Sequence, residues 1–188
     1  MKILMLGNSF TNANDLPGML AGLLDAQVVA HARGGATLSE QLNPETELGG
    51  KTAKALKETR WDYIILQEDS TGSFRHNGAF MRNVEKLCRA ARENGATPVL
   101  YETWPFREYS EKLKSTGLSY EDMREKLYDA YSRAAEENGA LAAFVGESFY
   151  GAPKTLDLYT EDDHHPSPEG SRIAAETIAE TIRRNEAR

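Results

Sequence analysis

Lys2-Ile3-Leu4-Met5-Leu6-Gly7-Asn8-Ser9-Phe10 opens the chain with an apolar run that stops at a glycine and is followed at once by a hydroxyl. The run reads as a strand, and the turn after it presents Ser9 as a candidate nucleophile. Outward from this point the pattern alternates strand and helix. Residues 15–25 carry Leu16, Met19, Leu20, Leu23 and Leu24 at helical spacing, with Pro17 at the helix entry. A second strand is read at 27–32, a short helix at 51–59 and a third strand at 63–66. Tyr63-Ile64-Ile65-Leu66 is apolar on both faces, which suits a central parallel strand. A helix at 78–94 ends at Gly95 and precedes a strand at 97–101. A helix at 120–138 begins at Ser119, with Asp122 completing a capping box, and ends at Gly139. A fifth strand follows at 141–145, and Ser167 with Pro168 opens a last helix carrying Ile173, Ala174, Ile178 and Ile182.

Five strands alternating with helices predict one α/β domain over 1–188. Its architecture is a three-layer, doubly wound sandwich around a mostly parallel sheet, flavodoxin-like with strand order 2-1-3-4-5. The two longer irregular stretches are 72–77 and 147–165, and long loops in a compact domain are more often functional than idle.

Composition narrows the function. The chain has 188 residues, 40% hydrophobic and 27% charged, enough for a single sizeable core and unlike a disordered chain. Its net charge of −7 lacks the basic stripe that a nucleic-acid partner requires. One cysteine, Cys88, allows no internal disulfide and no thiolate metal cluster, and it reads as core packing. No apolar run approaches membrane-spanning length, and no secretory leader opens the sequence, so a cytoplasmic protein is the expectation.

In an open parallel sheet, ligands sit beyond the carboxyl ends of the strands. Ser9 follows strand one, Gly34-Gly35 strand two, Gln67-Glu68-Asp69-Ser70 strand three, and Glu102-Thr103-Trp104 strand four. Asp162-Asp163-His164-His165-Pro166-Ser167 leads into the last helix from the same rim. A serine, an imidazole and a carboxylate converging there point to acyl transfer. Adjacent histidines point in different directions and no third histidine motif joins them, which argues against a metal site. The aromatic residues Trp104 and Phe106 read equally as a hydrophobic plug or as a platform for substrate. Arg75 and Arg107 read as surface residues. His164 is read as a turn residue, and His31 as hydrogen-bonded within the core.

Gly7-Asn8-Ser9-Phe10, Gly35-Ala36-Thr37 and Asp162-x-x-His165-Pro166 resemble, in order, the blocks of the SGNH hydrolases, also called GDSL-like esterases and lipases. With Leu66-Gln67-Glu68-Asp69-Ser70 included, the chain looks like a poorly characterised bacterial branch. The resemblance implies Ser9 as nucleophile, His165 as base and Asp162 as its orienting carboxylate. It also implies an oxyanion site made by the amides of Ser9 and Gly35 and a side-chain donor on the third block. The family's asparagine is missing there, and Gln67 is expected to replace it, since a glutamine amide donates and an ionised Glu68 does not. Glu68 is expected to turn away or to pair with a cation such as Arg75. Asn8, where the family usually has aspartate, joins Trp104 and Phe106 as an expected substrate contact.

The expected reaction needs no cofactor and no metal. Its expected substrate is a small-molecule or carbohydrate ester, with short acyl groups such as acetyl foremost. The rival readings are a flavodoxin-like phosphate- or nucleotide-binding module and a non-catalytic carbohydrate-binding relative. Oligomeric state is not legible.

Overall fold

The structure, a computed structural model, describes residues 1–187. Its strands are β1 (Lys2–Gly7), β2 (Gln27–Ala32), β3 (Tyr63–Leu66), β4 (Thr97–Tyr101) and β5 (Leu141–Ala143). They form one sheet in the order β2-β1-β3-β4-β5, every pairing parallel. The helices are α1 (Ser9–Asn12), α2 (Leu16–Leu24), α3 (Leu38–Gln41), α4 (Glu47–Glu58) and α5 (Gly72–Arg75). They continue with α6 (Asn77–Asn94), α7 (Glu111–Lys114), α8 (Tyr120–Asn138), α9 (Val145–Gly151) and α10 (Pro168–Glu186). This is the expected doubly wound α/β sandwich.

Strand alternation divides the core. Ile3, Met5 and Ile65 face α2, α9 and α10, where Leu16, Leu20, Phe149, Ala174, Ile178 and Ile182 meet them. Leu4, Leu6, Ile64 and Leu66 face the other way, onto Val84, Leu87 and Cys88 of α6 and Ala130, Tyr131 and Ala134 of α8. Each of these large side chains contributes roughly 1.5–3 kcal/mol by leaving water. The two-sided burial explains why β1 and β3 read as unbroken apolar runs. The chain leaves β1 towards β2 and leaves β3 towards β4, so the connections diverge between β1 and β3. The crevice between their carboxyl ends is the switch point at which such folds bind ligands.

Most helix ends follow local chemistry. Ser119 and Asp122 form the full capping box of α8, and Ser167 Oγ accepts from Gly170 N at 3.1 Å to start α10. The helix expected at 51–59 begins earlier, at Glu47, because Thr46 caps it through Gly49 N. The strand expected at 141–145 stops at Ala143, and α9 takes up the start of the stretch expected to be irregular. Tertiary packing overrides weak local propensity there: Val145 and Phe149 are buried and Gly146 N donates to Glu102 Oε2 at 2.9 Å. Four single-turn helices, α1, α3, α5 and α7, carry too little periodicity to be read from sequence. Among the described residues, no helix is long and apolar enough to cross a membrane.

Candidate active site

Gly7 ends β1 where the backbone approaches β3. A Cβ on it would lie 2.1 Å from Thr11 Oγ1 and 2.6 Å from Gln67 Oε1. The chain then turns into α1 with Asn8 as N-cap, its Oδ1 accepting from Phe10 N at 3.0 Å. This turn sets Ser9 at the rim of a cleft of about 280 Å³ that also takes in Gly34, Gly35, Asp69, Ser70, His164 and His165.

Ser9 Oγ lies 2.8 Å from His165 Nε2, and His165 Nδ1 lies 2.5 Å from Asp162 Oδ2. The residues named from the two ends of the sequence therefore form one continuous hydrogen-bonded chain. Asp162 Oδ1 accepts from Thr160 Oγ1 at 2.8 Å, from His164 N at 3.0 Å and from His165 N at 2.9 Å. Partial burial pulls its pKa upward, but the bonds from the His165 ring and amide, Thr160 and His164 N prevail. They hold the carboxyl well below the usual carboxylate range, so it is ionised at neutral pH. The amides of Ser9 and Gly35 find no acceptor among the described residues and are free to donate. Gly35 has φ of 70°, in the left-handed region that favours glycine, with open space where a Cβ would stand.

The loop carrying Asp162 and His165 is tied down from several sides. Arg107, read from sequence as a surface residue, donates from N to Asp163 O at 3.0 Å, and its Nη2 reaches Tyr159 O and Thr160 O at 3.1 and 3.2 Å. Its guanidinium also pairs with Asp157 and Asp163 at 2.9 and 2.7 Å. Asn14 Nδ2 donates to Pro166 O at 3.0 Å. Nothing in the local pattern around Arg107 marks it for this task, since its partners lie some fifty residues away.

Four expected contacts need correction. Gln67 is 1% exposed, and its amide does not reach the cleft. Its Oε1 accepts from Asn8 N at 3.0 Å and Thr11 Oγ1 at 2.9 Å, while Nε2 donates to Glu68 O. The Asn8 amide can only donate, so the oxygen must face it, and Gln67 supplies no oxyanion donor. Trp104 is 1% exposed, stacked between Phe10 at 4.7 Å and Phe149 at 4.4 Å, with Nε1 donating to His164 O at 3.2 Å. It supports the histidine loop from beneath and offers no face to substrate. Phe106 is likewise buried, its ring against the edge of His164. Asn8 borders the cleft, but its side chain is committed to Phe10 N and, at 3.4 Å, to Ala36 O.

Glu68 does turn away, but its partners are the backbone amides of Asp69 and Leu38, not Arg75. Burial pushes its pKa up to about 7. His31 meets Thr52 Oγ1 at 3.3 Å, as a core histidine would. His164, expected to be a turn residue, lines the cleft and meets Ser70 Oγ at 3.0 Å. Asp162, His164 and His165 bring one potential metal-binding atom each to within 4.8 Å of one another. Those donors are already engaged with each other, with Ser9 and with Ser70.

A Ser–His–Asp chain on the carboxyl rim of a 2-1-3-4-5 parallel sheet defines a serine hydrolase. A structure from Slackia heliotrinireducens, described as a candidate SGNH hydrolase, is 47% identical with a TM-score of 0.93, over 97% of this chain and 98% of that one. The chain belongs to the SGNH hydrolases, the GDSL-like esterases and lipases. Two more distant structures share the fold, each at 16% identity and a TM-score of 0.69. One is described as a candidate lipolytic protein of the G-D-S-L family from Desulfitobacterium hafniense, over 96% of this chain and 98% of its own. The other is a variant of an acetyl-xylooligosaccharide esterase from Geobacillus stearothermophilus, over 96% and 93%. No protein-family model matches the chain, and no curated protein does.

Proposed function

We propose that this SGNH hydrolase cleaves short-chain carboxylic esters through an acyl-enzyme on Ser9. The observation that carries the reading is the unbroken contact from Ser9 Oγ through the His165 ring to Asp162. A free serine hydroxyl is a weak nucleophile and needs a base within hydrogen-bond reach. His165 Nε2 takes the Ser9 proton as Oγ attacks the ester carbonyl, and Asp162 holds the tautomer and stabilises the imidazolium. The Ser9 and Gly35 amides stabilise the oxyanion. The imidazolium then protonates the leaving alcohol, and water repeats the sequence to release the acid.

A short acyl group is favoured by the shape of the cleft. It holds about 280 Å³, and Trp104 and Phe106 beside it lie buried in the core rather than extending its wall. A second hollow of about 170 Å³ shares Asp69 with the cleft and brings Thr37, Ser39, His76 and Asn83 to its wall. Hydroxyl, amide and imidazole groups of this kind suit the hydroxyls of a sugar, which supports a carbohydrate acetyl ester as substrate. Ser9→Ala is expected to abolish p-nitrophenyl acetate hydrolysis while leaving the circular dichroism spectrum and melting temperature near wild type. Full activity in that variant would remove the nucleophile assignment. Aryl esters of increasing chain length, run beside acetylated xylo-oligosaccharides, test the acyl and alcohol preferences.

A further inference from the structure

With Gln67 turned into the core, the third-block position that gives the oxyanion its side-chain donor is empty of an amide. The cleft nevertheless has a hydroxyl on that side. Ser70 follows β3 just as Gly35 follows β2, and in the order β2-β1-β3 the two flank Ser9 from opposite directions. We propose that Ser70 Oγ donates a hydrogen bond to the oxyanion and that His164 holds it in place, a role that rests on Ser9 being the nucleophile.

The geometry supports a built position. Ser9 and Ser70 each contact one of two consecutive imidazoles, His165 Nε2 at 2.8 Å and His164 Nε2 at 3.0 Å, and the two rings lie 4.6 Å apart. The His164 ring is fixed edge-on against Phe10 at 4.8 Å and Phe106 at 5.2 Å, and its backbone oxygen is held by Trp104 Nε1. Burial, followed by the charges of Lys112 and His165, lowers its pKa to about 4, so it is neutral at working pH and a poor base. With Nε2 carrying the proton, His164 donates to Ser70 Oγ and leaves the serine proton directed at a third partner. No proton is transferred: Ser70 Oγ accepts from His164 Nε2 and donates its own hydrogen to the oxyanion. The same arrangement explains why Phe106 and Trp104, buried as they are, lie beside the reacting groups.

The test measures kcat and KM for p-nitrophenyl acetate, and inhibition by phenylboronic acid, whose adduct with Ser9 mimics the tetrahedral intermediate. Ser70→Ala is expected to lower kcat by roughly 100-fold or more with KM little changed, the usual cost of losing such a donor. Its affinity for phenylboronic acid falls in parallel. Ser70→Cys preserves shape but donates weakly and behaves the same way, whereas Ser70→Thr retains most of the rate. Wild-type kcat and boronic acid affinity in both Ser70→Ala and Ser70→Cys would overturn the proposal. So would a rate loss accounted for by unfolding alone. Ser9→Ala, run alongside, separates the two layers. Its inactivity beside fully active Ser70 variants refutes only the donor role, and its full activity, or fluorophosphonate label on Ser70, refutes both.

Discussion

Gln67 illustrates how a residue of the right chemistry in the right place can serve a different end. It stands directly after β3, it carries an amide, and the third block needs one. The sequence does not reveal that the turn after β1 leaves a buried Asn8 amide and a buried Thr11 hydroxyl that need an acceptor, and Gln67 Oε1 is that acceptor. Its role is therefore to join the ends of β1 and β3. Gln67→Ala is expected to destabilise the protein by about 1–3 kcal/mol per abandoned donor in urea unfolding. A rate loss with unchanged stability would instead restore it as a cleft donor. Trp104 follows the same logic. An aromatic residue after a strand is a plug or a platform according to burial, and burial is a property of the assembled fold. Ser9, His165 and Asp162 were legible because each lies in a short segment tied to a strand end or a helix start.

The element that matters most to the chemistry is the segment between α9 and α10. It has little regular structure, yet it must hold Asp162 and His165 to within fractions of an ångström. Arg107 does much of this by binding four backbone or side-chain points between Asp157 and Asp163 at once. Arg107→Ala is expected to reduce kcat by about 10- to 100-fold, the scale of a misplacement near 1 Å, with faster proteolysis of the segment. Unchanged kcat would mean that Trp104 and Asn14 suffice. On the neighbouring element, Glu102 is wholly buried after β4 and Oε1 has no hydrogen-bond partner among the described residues. Burial, reinforced by the charge of Glu147, pushes its pKa up to about 8. The folded state then holds a proton that the unfolded chain releases above about pH 4.5. Stability from this group is full below that pH and is lost as pH rises through 8. Glu102→Gln removes this slope. Its melting temperature should match wild type near pH 4.5 and exceed it above pH 8; an equal difference at both would contradict the buried, protonated state.

At the scale of the molecule, the layer order and strand order were legible because β1 and β3 are apolar on both faces and the long helices show one apolar stripe each. The single-turn helices and α9 were not, since tertiary contacts and not periodicity create them. That architecture places the first and last functional segments of the sequence, more than 150 residues apart, on one rim above the switch point. The central claim is that this arrangement makes Ser9 a nucleophile activated by His165. Fluorophosphonate labelling followed by peptide mapping reads it directly. One label per chain on Ser9, formed far more slowly in His165→Ala, is the expected result. Label on another serine, or an unchanged rate on Ser9 without the imidazole, would contradict it.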